Sequence, residues 1–156
     1  TFDVVIMDMT DPFGPSKLLY TREFYQAVKT SFRNEAGIFV MHSESPIARP
    51  TAFTCIRKTL REVFHQVETL YPFIQMYGTL WSICLSSDTL KPTKIVPEMI
   101  NNRIEELGLK DLHLITGESI KGMAIEYPYL SEILKGPASI ITDSAPDFPD
   151  AFMQEA

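Results

Sequence analysis

The chain has 156 residues, 45% hydrophobic and 22% charged, which supplies one globular core and leaves too little length for two domains. Its formal net charge of −6 sets 20 acidic against 14 basic side chains, so no basic field would draw in a nucleic acid or an anionic membrane surface, and a small cationic ligand suits the balance better. Cys55 and Cys84 are too few and too far apart for a disulfide framework or a zinc knuckle, and with no signal peptide or membrane-spanning apolar run a soluble cytoplasmic protein is expected.

Thr1 leads straight into Val4-Val5-Ile6-Met7, an apolar run typical of a strand buried on both faces of an α/β sheet. A domain rarely opens in mid-sheet, so sequence ahead of Thr1 is expected. If the chain stood alone, the strand would present an unpaired apolar edge that invites aggregation or pairing with another chain, and the oligomeric state, a homo-oligomer among the options, stays open. Asp8-Met9-Thr10-Asp11-Pro12-Phe13-Gly14-Pro15 comes next, where two prolines and a glycine specify a loop at the C-terminal end of the strand. That is the sheet edge where α/β folds place ligands.

Thr21 is a plausible N-cap for a helix with Phe24, Val28 and Phe32 on one face and Tyr20 and Tyr25 spaced for a hydrophobic staple. A second buried strand runs over 37–43, making a βαβ unit with a parallel pair, and ends in Ser43, Glu44 and Ser45. A helix over 51–64 follows, then extended segments over 66–71 and 80–86 whose short separation favours an antiparallel pair. Parallel strands followed by an antiparallel pair point to the C-terminal part of a class I methyltransferase-like, Rossmann-like sheet in the α/β class. An amphipathic helix from 96 or 97 to 107, with Met99, Ile100 and Ile104 inward, closes at Gly108. A short helix over 127–134 precedes an irregular, mobile tail over 143–156.

The segment from Asp8 to Pro15, with its preceding strand and the following Leu18-Leu19-Tyr20-Thr21-Arg22-Glu23-Phe24-Tyr25, resembles the spermidine synthase family of polyamine aminopropyltransferases. That family carries D-[ST]-[ST]-D-P-x-G-P between a D-V-[IV]-[IV]-x-D strand and an L-[FY]-x-x-x-[FY]-[FY] helix. Met9 is the one departure within the loop. His42-Ser43-Glu44-Ser45-Pro46 and Leu80-Trp81-Ser82 are similar to later family segments. The resemblance implies that residues 1–142 form the C-terminal part of a catalytic domain, without the N-terminal half that holds the glycine-rich loop, and that this fragment alone is inactive. It further implies transfer of an aminopropyl group from decarboxylated S-adenosylmethionine, a co-substrate rather than a tightly bound cofactor, to putrescine, agmatine or a longer polyamine.

The chemistry has its own requirements. An alkyl amine is protonated near neutral pH, with a pKa of about 10.4, so a transferase must bind a cation and remove one proton before nitrogen can attack. One carboxylate can take that proton while a second holds positive charge. Asp8 and Asp11, three positions apart on a proline-stiffened loop, meet this need, although an Asp-x-x-Asp pair alone is more often a turn-capping feature. By resemblance Asp8 is the base, Asp11 holds the amine, and Pro15 packs on the adenine ring of the co-substrate.

Other positions are less specific. His42 is either a hydrogen-bonding partner of the amine or co-substrate or a satisfied core histidine. Glu44 reads as an exposed acid capping a loop rather than a channel residue, and Trp81 as core. The family's P-[TS]-Y-x-x-G turn is here Ile74-Gln75-Met76-Tyr77-Gly78-Thr79, so either Tyr77 takes the amine-contacting Tyr position after a one-residue slip or Met76 occupies it. His65 and His113 lack partners at metal-ligand spacing, and no metal site is expected. Two non-catalytic readings stand beside the enzyme: a methyltransferase-like protein that binds a nucleoside or polyamine without transfer, and a fragment whose exposed strand mediates assembly.

Overall fold

A computed structural model describes residues 1–12 and 14–149. Strands β1 (Val4–Met7) and β2 (Ile38–His42) run parallel, with Val4 opposite Ile38 and Met7 opposite Met41. Between them the chain forms a 3-10 helix, Gly14–Tyr20, and helix α1 (Arg22–Thr30). Helix α2 (Pro50–Arg61) leads to β3 (Gln66–Leu70), then to a two-stranded hairpin of β4 (Phe73–Ile74) and β5 (Thr79–Leu80), and back through β6 (Ile83–Ser87). The main sheet has the order β1-β2-β6-β3, with β6 antiparallel to both of its neighbours. This mixed sheet, parallel and then antiparallel, is the expected α/β arrangement.

Helix α1 starts where Thr21 accepts a hydrogen bond from the Phe24 amide at 3.3 Å, satisfying one of the donors that a helix N-terminus leaves open. Tyr25 and Val28 of α1 and Ile56 and Leu60 of α2 join Phe39, Met41, Val67 and Cys84 in one core cluster. Phe39 and Met41 point to the same face of β2, so both helices cover the same side of the sheet.

That arrangement corrects the expectation of strands buried on both faces. Along β2 burial alternates, and in β1 Val4 is 49% and Ile6 72% exposed. A continuous apolar run tells that a strand can be buried twice, but not whether anything covers its second face.

Helix α3 (Pro97–Glu106) ends two residues before Gly108, which takes a positive φ of 61° and is followed by irregular chain. The helix does not turn Met99, Ile100 and Ile104 into a core. It has no buried residue, and Met99 is 62% exposed. Its contacts are mainly with α4 (Gly117–Met123), an element the spacing does not announce because it carries only Ile120 and Met123 as large apolar residues. Met99→Lys is accordingly expected to change stability by no more than about 0.5 kcal/mol in chemical denaturation, the usual range for an exposed position.

Helix α5 (Pro128–Ile133) packs Leu130 beside Phe53 and Tyr71 in a second small core. Buried Arg57 joins Tyr71 Oη at 3.0 Å and Glu126 at 3.1 Å, tying α2, the end of β3 and the approach to α5 together. Beyond α5 the backbone of Ile141 accepts from the Arg22 amide at 2.8 Å, and Asp143 accepts from the Thr21 hydroxyl at 2.6 Å. Lys17 pairs with Asp147 at 2.7 Å. The expected mobile tail is therefore fastened to the start of α1 as far as these residues, while 150–156 lie outside the described residues. No helix among the described residues is long and apolar enough to cross a membrane.

Candidate active site

Because β1 and β2 are parallel and in register at Met7 and Met41, Asp8 and His42 leave the sheet on the same edge. Ile83 of β6 lies opposite His42, which brings Ser82 and Trp81 to that edge as well. Three chain segments far apart in sequence thus converge at the C-terminal ends of the parallel strands, the usual ligand edge of an open α/β sheet.

Asp8 is exposed, and Asp11 is partly buried beside buried Pro12. The loop between them is held by its carbonyls. Tyr20 Oη donates to the Thr10 carbonyl at 2.9 Å, and His42 Nε2 lies 2.7 Å from the Met9 carbonyl and 3.1 Å from Tyr20 Oη. A carbonyl can only accept, so His42 Nε2 carries a proton in this arrangement. His42 Nδ1 is buried with no hydrogen-bond partner among the described residues. His42 is thus half-buried and engaged with the loop.

Glu44 overturns its expected exposed position. It is fully buried, and its backbone takes a positive φ of 71°, costing on the order of 1 kcal/mol for a residue with a Cβ. The turn is fixed from beneath: Ser82 Oγ donates to the Glu44 carbonyl at 2.6 Å, and Ser43 Oγ is 2.7 Å from Ser82 Oγ. Neither Glu44 carboxylate oxygen has a hydrogen-bond partner among the described residues. Burial first, and the negative charge of Asp11 second, push its carboxyl up to about 7, with nearby Arg49 pulling back only in part. Arg49 Nη1 stands 3.2 Å from Asp11 Oδ2 and 3.6 Å from Glu44 Oε2. Burial, together with the charges of Glu44 and Asp11, also pushes the Tyr20 phenol well above its ordinary range, so it serves here as a hydrogen-bond donor.

On the other side stands an aromatic row. The Trp81 ring stacks on His42 at 6.1 Å between centroids, and Tyr77 lies 4.8 Å from Trp81. Trp81 is half-buried, not core as expected, because it follows the hairpin at the open edge rather than sitting within β6. Tyr77 is 55% exposed and Met76 84% exposed. Pro15 is exposed in the first turn of the 3-10 helix, and Phe13 lies outside the described residues. Asp8, Asp11, His42 and Tyr77 therefore share one edge. No group of three or more metal-ligating side chains occurs among the described residues.

A family model described as the spermine/spermidine synthase domain matches residues 1–95. The chain belongs to the spermine/spermidine synthase family. Among curated relatives, the polyamine aminopropyltransferase of Nitrosomonas europaea is 34% identical over 91% of this chain and 43% of its own length. That of Sulfurisphaera tokodaii is 33% identical over 93% of this chain and 48% of its own. The crystal structure of spermidine synthase from Thermotoga maritima matches with a TM-score of 0.73 at 26% identity, covering 86% of this chain and 44% of that one. A spermidine synthase in complex with the transition state analogue AdoDATO matches with a TM-score of 0.76 at 27% identity, over 86% and 45% of the two chains. These likenesses agree with a methyltransferase-like fold for this member of the spermine/spermidine synthase family, and the chain spans less than half the length of the relatives it matches.

At this edge, sequence reasoning left Arg49 and Tyr20 aside and misplaced Glu44 and Trp81. Glu44 carries one usable signal: a carboxylate enclosed by two serines directly after a buried strand, where short hydroxyl side chains can support a tight turn.

Proposed function

We propose that the complete gene product transfers the aminopropyl group of decarboxylated S-adenosylmethionine to a primary amine, with the acceptor bound at the edge formed by Asp8, Asp11 and Glu44. The observation that carries this reading is the convergence of three carboxylates on one sheet edge, faced by the aromatic row of His42, Trp81 and Tyr77. Carboxylates attract an alkylammonium, and aromatic faces stabilise a cation at close range.

In this reading Asp8 takes a proton from the acceptor ammonium. The freed lone pair forms a bond to the carbon beside the sulfonium, and the carbon–sulfur bond breaks with its electrons going to sulfur. The products are a secondary ammonium and the neutral thioether methylthioadenosine. Asp11 and Glu44 hold positive charge, Tyr77 rather than Met76 provides the aromatic contact, and Pro15 borders the adenine of the co-substrate. His42 and Tyr20 act as positioning residues by holding the Met9 and Thr10 carbonyls, which keeps the Asp8 loop in place.

The test is product analysis of the complete gene product with decarboxylated S-adenosylmethionine and putrescine, agmatine or spermidine. One aminopropylated product formed in step with methylthioadenosine is expected and names the acceptor. Binding of the amine and nucleoside with no product overturns the transferase reading.

A further inference from the structure

The geometry points to a second binding site, for a small oxyanion of the phosphate class, in the cleft between the second half of α2 and the chain that follows α5. It does not depend on the reading of the sheet edge as an amine site.

Thr54, Arg57, Lys58 and Arg61 stand at i, i+3, i+4 and i+7 of α2, the spacing that lines side chains along one face of a helix. This stripe forms one wall of a cavity of about 270 Å³, and the turn around Gly136 forms the other. None of the residues lining it is acidic, in a chain whose 20 acidic side chains outnumber its 14 basic ones. The volume lies below the ~300–1,000 Å³ of pockets for drug-sized ligands, so a compact ion suits it better than a nucleotide. Side chains of α2 fasten the two walls together. Lys58 Nζ donates to the Ala138 carbonyl at 3.0 Å, the Ser139 amide donates to Cys55 Sγ at 3.2 Å, and the Ile141 amide donates to Thr59 Oγ1 at 3.0 Å.

Two of the three cations have donors to spare. Arg57 is buried and its Nη1 is engaged by Tyr71 and Glu126, yet its Nε–H is buried with no acceptor among the described residues. A buried donor of that kind is normally satisfied. Arg61 is exposed and makes no hydrogen bond or ion pair among the described residues. Burial first, and the positive charge of Arg57 second, pull its guanidinium below the ordinary arginine range, with Glu126 opposing only in part. The negative end of α2 accounts for Lys58 and Arg61 in the last turn, but not for the unanswered N–H of Arg57. That helix end carries about half a unit of negative charge, so together with Glu126 it leaves the three cations in excess. An oxyanion between Arg57 and Arg61 accepts from both guanidinium groups, whose planar donors match phosphate geometry. The cleft is also remote from the carboxylate edge: Arg57 and Arg61 lie about 10 and 16 Å along the helix axis from Pro50.

The experiment titrates the complete gene product with sodium phosphate by calorimetry at low salt, with sodium chloride at equal ionic strength as the control. It compares the wild type with Arg61→Gln, Arg57→Lys and Lys110→Gln, the last an exposed cation outside the cleft. One saturable phosphate site is expected in the wild type, weakened about tenfold in Arg61→Gln and Arg57→Lys, the scale of a lost charge-assisted hydrogen bond, and within about twofold in Lys110→Gln. Thermal melts check folding, because Arg57 also holds Tyr71 and Glu126. If Arg57→Lys does not fold, Arg61→Gln carries the test. Glycerol 3-phosphate distinguishes the source of the anion: binding as strong as that of inorganic phosphate supports the head group of a phosphate ester, and weaker binding supports the free ion. No saturable phosphate binding, Arg61→Gln binding like the wild type, or an equal loss in Lys110→Gln overturns the inference.

Discussion

Replacing Asp8 by asparagine is expected to lower kcat/KM for aminopropyl transfer by about 10²–10⁴-fold, the usual contribution of a positioned general base. Asparagine keeps the size and one acceptor oxygen of the native side chain but cannot take up a proton. Asp8 is exposed, so the substitution leaves no buried group uncompensated, and the melting temperature should stay within a few degrees. At pH 7.4 only about one molecule in 10³ of a simple alkyl amine is in the free-base form, given a pKa of about 10.4. The variant must wait for that fraction. Its rate should therefore rise close to tenfold per pH unit toward pH 10, whereas the wild type levels off earlier. The measurement is methylthioadenosine release across that pH range. A variant within threefold of the wild type at pH 7.4, or one with no steeper pH dependence, would remove Asp8 from the role of base.

The parts of this molecule that follow from short stretches of sequence are those with local causes. Thr21 caps α1 because its oxygen faces amides in the adjacent turn, and Gly108 closes α3 because the backbone there needs a positive φ. The loop from Asp8 is irregular through residue 12 because its prolines cannot extend a strand. Glu44, Trp81 and Met99 depend on distant partners instead. Glu44 depends on Ser82, 38 residues away, which holds its carbonyl, and on Arg49, whose guanidinium stands 3.6 Å from its carboxylate. Trp81 is drawn to the open edge by the rings of His42 and Tyr77. Met99 lies on a well-formed amphipathic helix, yet periodicity records only that one face is apolar and not what meets that face. The same limit explains β1, whose composition suits two covered faces while α1 and α2 both pack on one.

Glu44→Gln is expected to abolish a stability slope that the wild type shows between about pH 4.5 and about pH 7. The folded carboxyl holds its proton up to about pH 7, whereas the unfolded one releases it near 4.5. Between those values the folded state binds more protons than the unfolded state, so unfolding free energy falls as pH rises. A gap of this width corresponds to roughly 3 kcal/mol, fully lost above pH 7. Stability linked to Glu44 is thus present in its entirety below pH 4.5. The opposite limb belongs to Glu23, Asp88, Glu118 and Glu126, whose carboxyls are held low, chiefly by hydrogen bonds and ion pairs, and which withdraw stability as pH falls through their own range. Comparing the variant with the wild type cancels that limb. At pH 8 glutamine should raise the melting temperature by on the order of 5–10 °C, and at pH 4.5 the two proteins should melt close together. A difference that does not vary with pH would mean that Glu44 ionises in the folded protein as it does in water. Added 1,4-diaminobutane supplies a cation that favours the ionised carboxylate, so in the wild type it should shift the midpoint of the slope to lower pH, and in Glu44→Gln there is no such midpoint to move.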